Sequence, residues 1–394
     1  MSQLPMYDLL VLDFTRHRAG PVTSRLLADW GATIIKIEEP ADLGDSMGGS
    51  REGFDYQNLH RNKQSLSLNL KTDDGQSVLK KLVGKADVVL ENFRPEVKYR
   101  LGLDYDSLKS INERIICGSI SGFGQTGPYC TRPAVDQIIQ GMSGLMSVTG
   151  IPGSGPVRVG AAITDISAGM TLAQAVLMAL YYREKTGLGQ WVYTSLLEST
   201  ISILDFQVAR WLANGDVPTQ MGNDHPTLMP IGLFPTADGQ VNIAAAEDSK
   251  FRLLCKTLDI PELADFHEYS NITLRSLNRS SLLNKLKERI KYFKSAELIE
   301  KLNSVGIPCG PLYTIEEAMN DEQMNHLKMK CSINHPNLGQ LSLVGQPFHS
   351  SRFCDMQTVR AAAPEHGEHT EVILKELLNY QDDEIVELRN NGVI

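Results

Sequence analysis

Cysteine, clustered basic residues and long apolar runs are all scarce in this sequence of 394 residues, and each scarcity removes a class of protein. The six cysteines, at 117, 130, 255, 309, 331 and 354, form no Cys-x-x-Cys pair and no Cys/His spacing, which argues against a zinc site or a disulfide framework. They read as buried thiols of a protein in the reducing cytoplasm. The N-terminal MSQLPMYDLL lacks the basic and apolar regions of a secretory signal. The longest apolar run, Met170 to Tyr182, is too short to span a bilayer, so no membrane association is expected. Net charge is −9, and Lys and Arg are scattered rather than gathered, which speaks against a nucleic-acid partner. Any anionic ligand must therefore be held by local groups. No repeat or low-complexity segment is present.

What remains is an ordinary globular composition, 42% hydrophobic and 22% charged, in a chain long enough for two domains. Over the first 120 residues short β-rich runs (DLLVLDFT, ATIIKIEE, SLSLNL, ADVVLENF, RIICGSIS) alternate with helical ones near Thr23–Trp30 and Asp74–Val83. That rhythm predicts an α/β fold with a mostly parallel sheet and ligands at the carboxyl ends of its strands, after Phe14, Ile37 and Glu91. A long helix is expected over Ile166–Lys185, stopped by the glycines of TGLGQ, and another over Leu196–Ala213. FPTADGQVNIAAA reads as a hairpin around Asp238-Gly239. Residues 1–220 with 329–394 are expected to form a large domain, and 221–328 a smaller α+β one.

Several motifs invite chemistry. GFGQTG, Gly122 to Gly127, matches a dinucleotide fingerprint, but Pro128 and Pro133 block the helix that should meet a pyrophosphate, so an NAD-dependent oxidoreductase is a rival reading only. Asp165, in AAITDISAGM, stands at the start of the long helix. An N-cap is its ordinary reading there; the same position, flanked by small residues, would also suit an ionised carboxylate facing a bulky ligand. TRHRAGP places Arg16, His17 and Arg18 after the first strand, where cations suit an anion; alternation should turn the two arginines away from His17. Lys63, Lys71, Arg94, Lys98 and Arg100 near strand ends, with Leu68, Leu70 and Phe93, could hold an adenine between apolar walls while cations meet phosphates. Asp136 and the loop residue His225 are weaker candidates.

Taken in order, VLDFTRHRAGP, LADWGATIIKIE, NKQSLSLNLK, ADVVLENFRP, SGFGQTGP, DISAGM, KTGLGQWV, IPCGPLYT and GEHTEVIL resemble the successive signatures of class III CoA-transferases, the family of formyl-CoA transferase and carnitine CoA-transferase. The resemblance spans nearly the whole chain. It implies a Rossmann-like large domain, an interlocked ring-like homodimer, acyl-CoA and a small carboxylic acid as substrates, and no metal. It makes Asp165, in the matching D-x-S-x-G-M segment, the nucleophile that carries coenzyme A as an aspartyl thioester. It also implies His17 and Arg18 beside the reacting centre, Asp136 close to it, Leu68, Leu70 and Lys71 near adenine, Asn92 and Phe93 along the pantetheine, and Arg100 near phosphate. Two positions depart from formyl-CoA transferase: Glu39 replaces an arginine by the adenine, and Arg18 replaces a glutamine, which points to a different acceptor. A dicarboxylate is one candidate, its distal carboxylate meeting Arg18, Arg16 or His225. The fold also hosts 2-methylacyl-CoA racemases, whose histidine position is occupied here by Val135. A non-catalytic CoA-binding protein is the remaining alternative.

Overall fold

The computed structural model describes residues 4–41, 50–353 and 356–394. They divide into two compact units, Met1–Leu145 with Arg158–Asp216 and Glu322–Ile394, and Met146–Val157 with Val217–Asp321. The first holds a six-stranded, all-parallel sheet made of β1 (Leu10–Asp13), β2 (Thr33–Glu38), β3 (Lys63–Ser67), β4 (Val88–Glu91), β5 (Ile116–Ser121) and β6 (Gln190–Ser195). Its order is β3-β2-β1-β4-β5-β6, so the chain reverses its direction of travel between β1 and β4. In such sheets the crevice beside that reversal, at the strands' carboxyl ends, is where ligands bind.

Helices α1 (Ala19–Asp29), α2 (Phe54–His60), α3 (Asp73–Val83), α4 (Pro95–Arg100) and α5 (Tyr105–Ile111) lie between the first five strands. Then α6 (Asp136–Met142), α7 (Leu145–Val148) and α8 (Ile163–Thr186) precede β6, and α9 (Leu196–Leu204) and α10 (Phe206–Asn214) follow it. Successive strand residues serve opposite faces: Leu12, Ile35 and Val89 join one apolar cluster, Val11, Ile34 and Val88 another. The first cluster is closed by α3 and by the chain's end, through Ile373, Leu374, Ile385 and Leu388. The second is closed by α1 and α8, through Leu27, Leu172, Val176 and Ala179. Burial on both faces is why the central strands β1, β2 and β4 are rich in Val, Ile and Leu.

Where helices begin and end departs from the local signals. Helix α1 starts at Ala19 rather than Thr23, because Pro21 sits in the first turn, where no backbone N–H is needed. Helix α8 starts at Ile163 rather than Ile166, for a reason found in the site below. Its 24 residues are, among those described, a helix long and apolar enough to cross a membrane, longer than the apolar run alone indicates. Its buried face nonetheless packs on the sheet. The helix expected over Leu196–Ala213 is broken at Asp205, whose φ of 40° ends α9 and begins α10. Cys117 and Cys255 are buried, but Cys130, Cys309 and Cys331 are only partly so, correcting the expectation of buried thiols; Cys354 lies outside the described residues.

The second unit carries an antiparallel three-stranded sheet, Ile231–Pro235, Gln240–Ala244 and Cys309–Pro311, with the hairpin turning at Asp238-Gly239. Helices Asp248–Thr257, Arg279–Ile290 and Ser295–Ser304 cover it with Phe251, Leu254, Leu282, Leu286 and Leu298. At its centre the Arg275 guanidinium, wholly buried, donates to the carbonyls of Met229, Tyr269 and Ala246. A buried charge is tolerated when its donors are met in this way. Gln220 Nε2 ties Met146–Val157 into the unit by donating to the carbonyls of Thr149 and Gly155.

Candidate active site

Asp165 lies in the first turn of α8, three residues after Ala162, and makes no cap hydrogen bond. The ordinary N-cap reading is therefore corrected. The capping is done from a distance: Asp136 Oδ1 accepts from the backbone N–H of Thr164 at 3.0 Å and from its hydroxyl at 2.9 Å. This remote acceptor satisfies a donor that the helix start leaves open, so α8 can begin earlier than its own sequence indicates. Asp165 is left with a half-buried carboxylate and, among the described residues, no side-chain hydrogen bond or ion pair. Burial raises its pKa to about 6, the neighbouring Asp136 adds to the rise, and Arg18 opposes it. An acid so placed is ionised at neutral pH but poorly compensated, a state associated with chemical rather than structural roles.

Arg18 reaches this position because α1 and α8 meet closely. Gly169, one turn beyond Asp165, rests against the start of α1; a Cβ there would come within 2.5 Å of the Ala19 carbonyl oxygen and 2.7 Å of Val22. Thr23 closes the contact by donating its hydroxyl to the Gly169 carbonyl at 2.9 Å. The residue just before α1 is thereby brought to the start of α8. The loop leading to it is bent: His17, exposed, has φ 63°. It is not an extended segment, so strand alternation does not apply and the two arginines diverge. Arg18 pairs with Asp55 at 2.6 Å, whereas Arg16 lies over the Phe93 ring and 3.5 Å from Glu39. Asn92 fixes the loop, its amide accepting from Arg16 N–H and donating to Arg16 C=O.

The other candidates along the sheet edge separate into available and unavailable groups. Lys71 is exposed and 3.7 Å from Glu39, Arg94 and Arg100 are exposed, and Leu70 and Phe93 are partly so. Leu68, at 0% exposure, belongs to the core, which corrects its expected place on an adenine wall. Lys63 and Lys98 are corrected as well. Lys63 is fully enclosed and donates to Asp13 at 3.0 Å and Ser24 at 2.7 Å. Lys98 is enclosed between Glu91 and Gln125, so neither ammonium can meet a phosphate here.

Asp136, expected at the substrate, has both oxygens engaged by the protein: Oδ1 by Thr164 and Oδ2 by Gln140 Nε2 at 2.8 Å. Gln140 also accepts from Val159 N–H at 2.8 Å, fixing the segment before α8. Arg158, in that segment, stands 3.5 Å from Asp136 Oδ2. Sequence reasoning overlooked Arg158 and Gln140, and a lone arginine in a Gly/Pro-rich stretch gives no local signal. His225 belongs to the second unit, where its Nδ1 accepts from the backbone of Thr227 and Leu228 and its pKa is lowered by burial and Arg279. After GFGQTG no helix forms until Asp136, so the loop lacks the helical N-terminus a dinucleotide would need. Among the described residues no group of three or more His, Cys, Asp or Glu is arranged to hold a metal.

Residues 6–370 match the profile of CoA-transferase family III. A human protein named succinyl-CoA:glutarate CoA-transferase is 33% identical over 396 residues, covering 99% of this chain and 90% of its own. The acetyl-CoA:oxalate CoA-transferase of Acetobacter aceti is 35% identical, covering 94% of this chain and 95% of its own. Among solved structures, a CAIB/BAIF family protein from Brucella suis superposes with a TM-score of 0.81 at 34% identity, over 95% of this chain and 100% of that one.

Proposed function

The chain belongs to CoA-transferase family III, and we propose that it moves coenzyme A from an acyl-CoA to a free dicarboxylic acid, with Asp165 as the temporary carrier. The observation that carries this reading is a contrast among the acids of the unit: Asp13, Asp136 and Glu91 are tied down by cations or donors, and Asp165 is not. The acceptor class is supported by the relatives, which are named for glutarate and oxalate, both dicarboxylates.

In the proposed sequence, an Asp165 oxygen attacks the donor thioester carbonyl and the C–S bond breaks, giving a mixed anhydride and CoA thiolate. The thiolate attacks the aspartyl carbonyl, forming the aspartyl-CoA thioester and releasing the donor acid. The acceptor carboxylate then attacks that thioester, regenerating thiolate and a second anhydride. Thiolate attack on the acceptor carbonyl yields the new acyl-CoA and returns Asp165 as carboxylate. No proton or electron is consumed, and dividing the exchange into such steps is what covalent catalysis provides. Ala161, small and exposed just before α8, leaves room for the thioester, while Ala168 and Gly169 are taken up by packing. Arg16, Lys71 and Arg100 are suited to CoA phosphates, with Leu70, Asn92 and Phe93 along its length. Racemisation would need a second proton carrier, and Val135 offers none.

An interlocked homodimer is part of the proposal. It is supported by apolar side chains left exposed on α8, α9 and α10, among them Met178, Tyr181, Ile203, Trp211 and Leu212, more than an isolated subunit ordinarily leaves in water. The decisive experiment is incubation with acyl-CoAs followed by intact-mass analysis and peptide mapping. A CoA-sized adduct on Asp165, absent from Asp165→Ala, is expected; full exchange activity in Asp165→Ala refutes the mechanism.

A further inference from the structure

We propose that Arg158 receives the distal carboxylate of the dicarboxylic acceptor, and so sets the preference for diacids over monoacids. This rests on the CoA-transfer reading and names a residue for its acceptor.

A dianion approaching Asp165 meets negative charge there and at Asp136. One carboxylate must stay next to Asp165 to react; the other needs a cation some C–C bonds away, roughly 4–6 Å for an acid of four or five carbons. Arg18, which influences Asp165 directly, already has Asp55 at 2.6 Å. Arg16 is directed at Glu39 and Phe93. Lys63 and Lys98 are enclosed. Arg158 differs from all of them. Its side chain is 49% exposed, its ion pair with Asp136 is long at 3.5 Å, and among the described residues it makes no hydrogen bond. Asp136 has little left to offer it, since Thr164 and Gln140 already donate to both oxygens.

The placement fits a distal site. Asp136 presents Oδ1 to Thr164, the residue beside Asp165, and Oδ2 to Arg158, so one carboxylate links the guanidinium to the first turn of α8. The backbone is anchored although the side chain is open: Gln140 accepts from Val159 N–H at 2.8 Å and donates to the Ala161 carbonyl at 3.3 Å. A planar fork of donors on an anchored strand of chain is the arrangement that binds a carboxylate in bidentate fashion.

The test compares glutarate with valerate, equal in carbon count, as acceptors for the dimeric enzyme, using an acyl-CoA that labels Asp165. For Arg158→Gln, kcat/KM with glutarate falls roughly 10- to 100-fold, as expected for loss of a charge-assisted hydrogen-bonded contact, while valerate changes less than about threefold. Arg158→Lys, which keeps charge but not the fork, falls between the two. The rate of Asp165 labelling by the donor reports folding and an intact nucleophile. Equal losses for both acids, or no loss for glutarate in either variant, overturn the assignment of Arg158. Wild-type protein that labels with no acyl-CoA defeats instead the parent reading.

Discussion

Asp13 and Asp165 are carboxylates of the same unit with opposite surroundings. Asp13, at the end of β1, accepts from the Lys63 ammonium, from the hydroxyls of Ser24 and Thr15, and from Thr15 N–H. Its burial would raise the pKa, but Lys63, Lys36 and the two hydroxyls hold it below the ordinary carboxylate value. Asp165 is less buried, receives no donor among the described residues, and titrates near 6. The first is paired and holds three segments together; the second keeps an unmatched charge on a partly exposed side chain. A carboxylate's role thus follows from how far its neighbours compensate it, not from burial alone.

That contrast can be broken most strongly at Asp165. In Asp165→Asn, CoA exchange drops roughly 1,000-fold or more while the protein folds normally, measured by steady-state exchange and circular dichroism. Because the folded-state pKa of Asp165 is raised, its ionisation opposes folding: stability is lost as pH rises from the ordinary value of 3.8 through about 6 and stays lost above. The amide should therefore stabilise the fold at pH 7 by about 1 kcal/mol once solvent screening is allowed for, read as a higher urea midpoint. An unchanged or lower midpoint would mean the charge is compensated after all.

At Asp13 the effect is on folding. Asp13→Ala leaves the Lys63 ammonium enclosed without its anion, a loss of about 3–5 kcal/mol, read as a lower urea midpoint. A midpoint within error of wild type would remove the distinction drawn between the two acids. The smallest effect sharpens the comparison. Asp136→Asn keeps an acceptor oxygen for Thr164 but removes a negative charge beside Asp165. The acid limb of the kcat/KM profile, expected near pH 6, should then move to lower pH. A limb that does not move would assign the raised pKa to burial alone.

Much of this organisation was legible in the sequence. Alternation of β-rich runs with helical ones is local, so the parallel sheet and the hairpin at Asp238-Gly239 could be read directly. Asp165 was singled out by resemblance, whereas its local context favoured a cap. What the sequence hid depends on distant pairs. The start of α8 is set by Asp136, 28 residues before Thr164, and no pattern around Ile166 discloses it. Lys63 resembles any lysine near a strand end until Asp13, 50 residues earlier, is seen to enclose it. The course of TRHRAGP was misjudged because a left-handed His17 cannot be told from an extended one by residue type.

The notch at Gly169 has a consequence for how such an enzyme can change over generations. Helix-to-helix backbone contact, rather than adjustable side chains, fixes the spacing between Arg18 and Asp165, so drift there is heavily penalised. The irregular stretch ahead of α8 is held through side chains instead, by Gln140 and by the ion pair of Arg158 with Asp136. Residues in that stretch can therefore be exchanged at less cost while Arg18 and Asp165 keep their spacing.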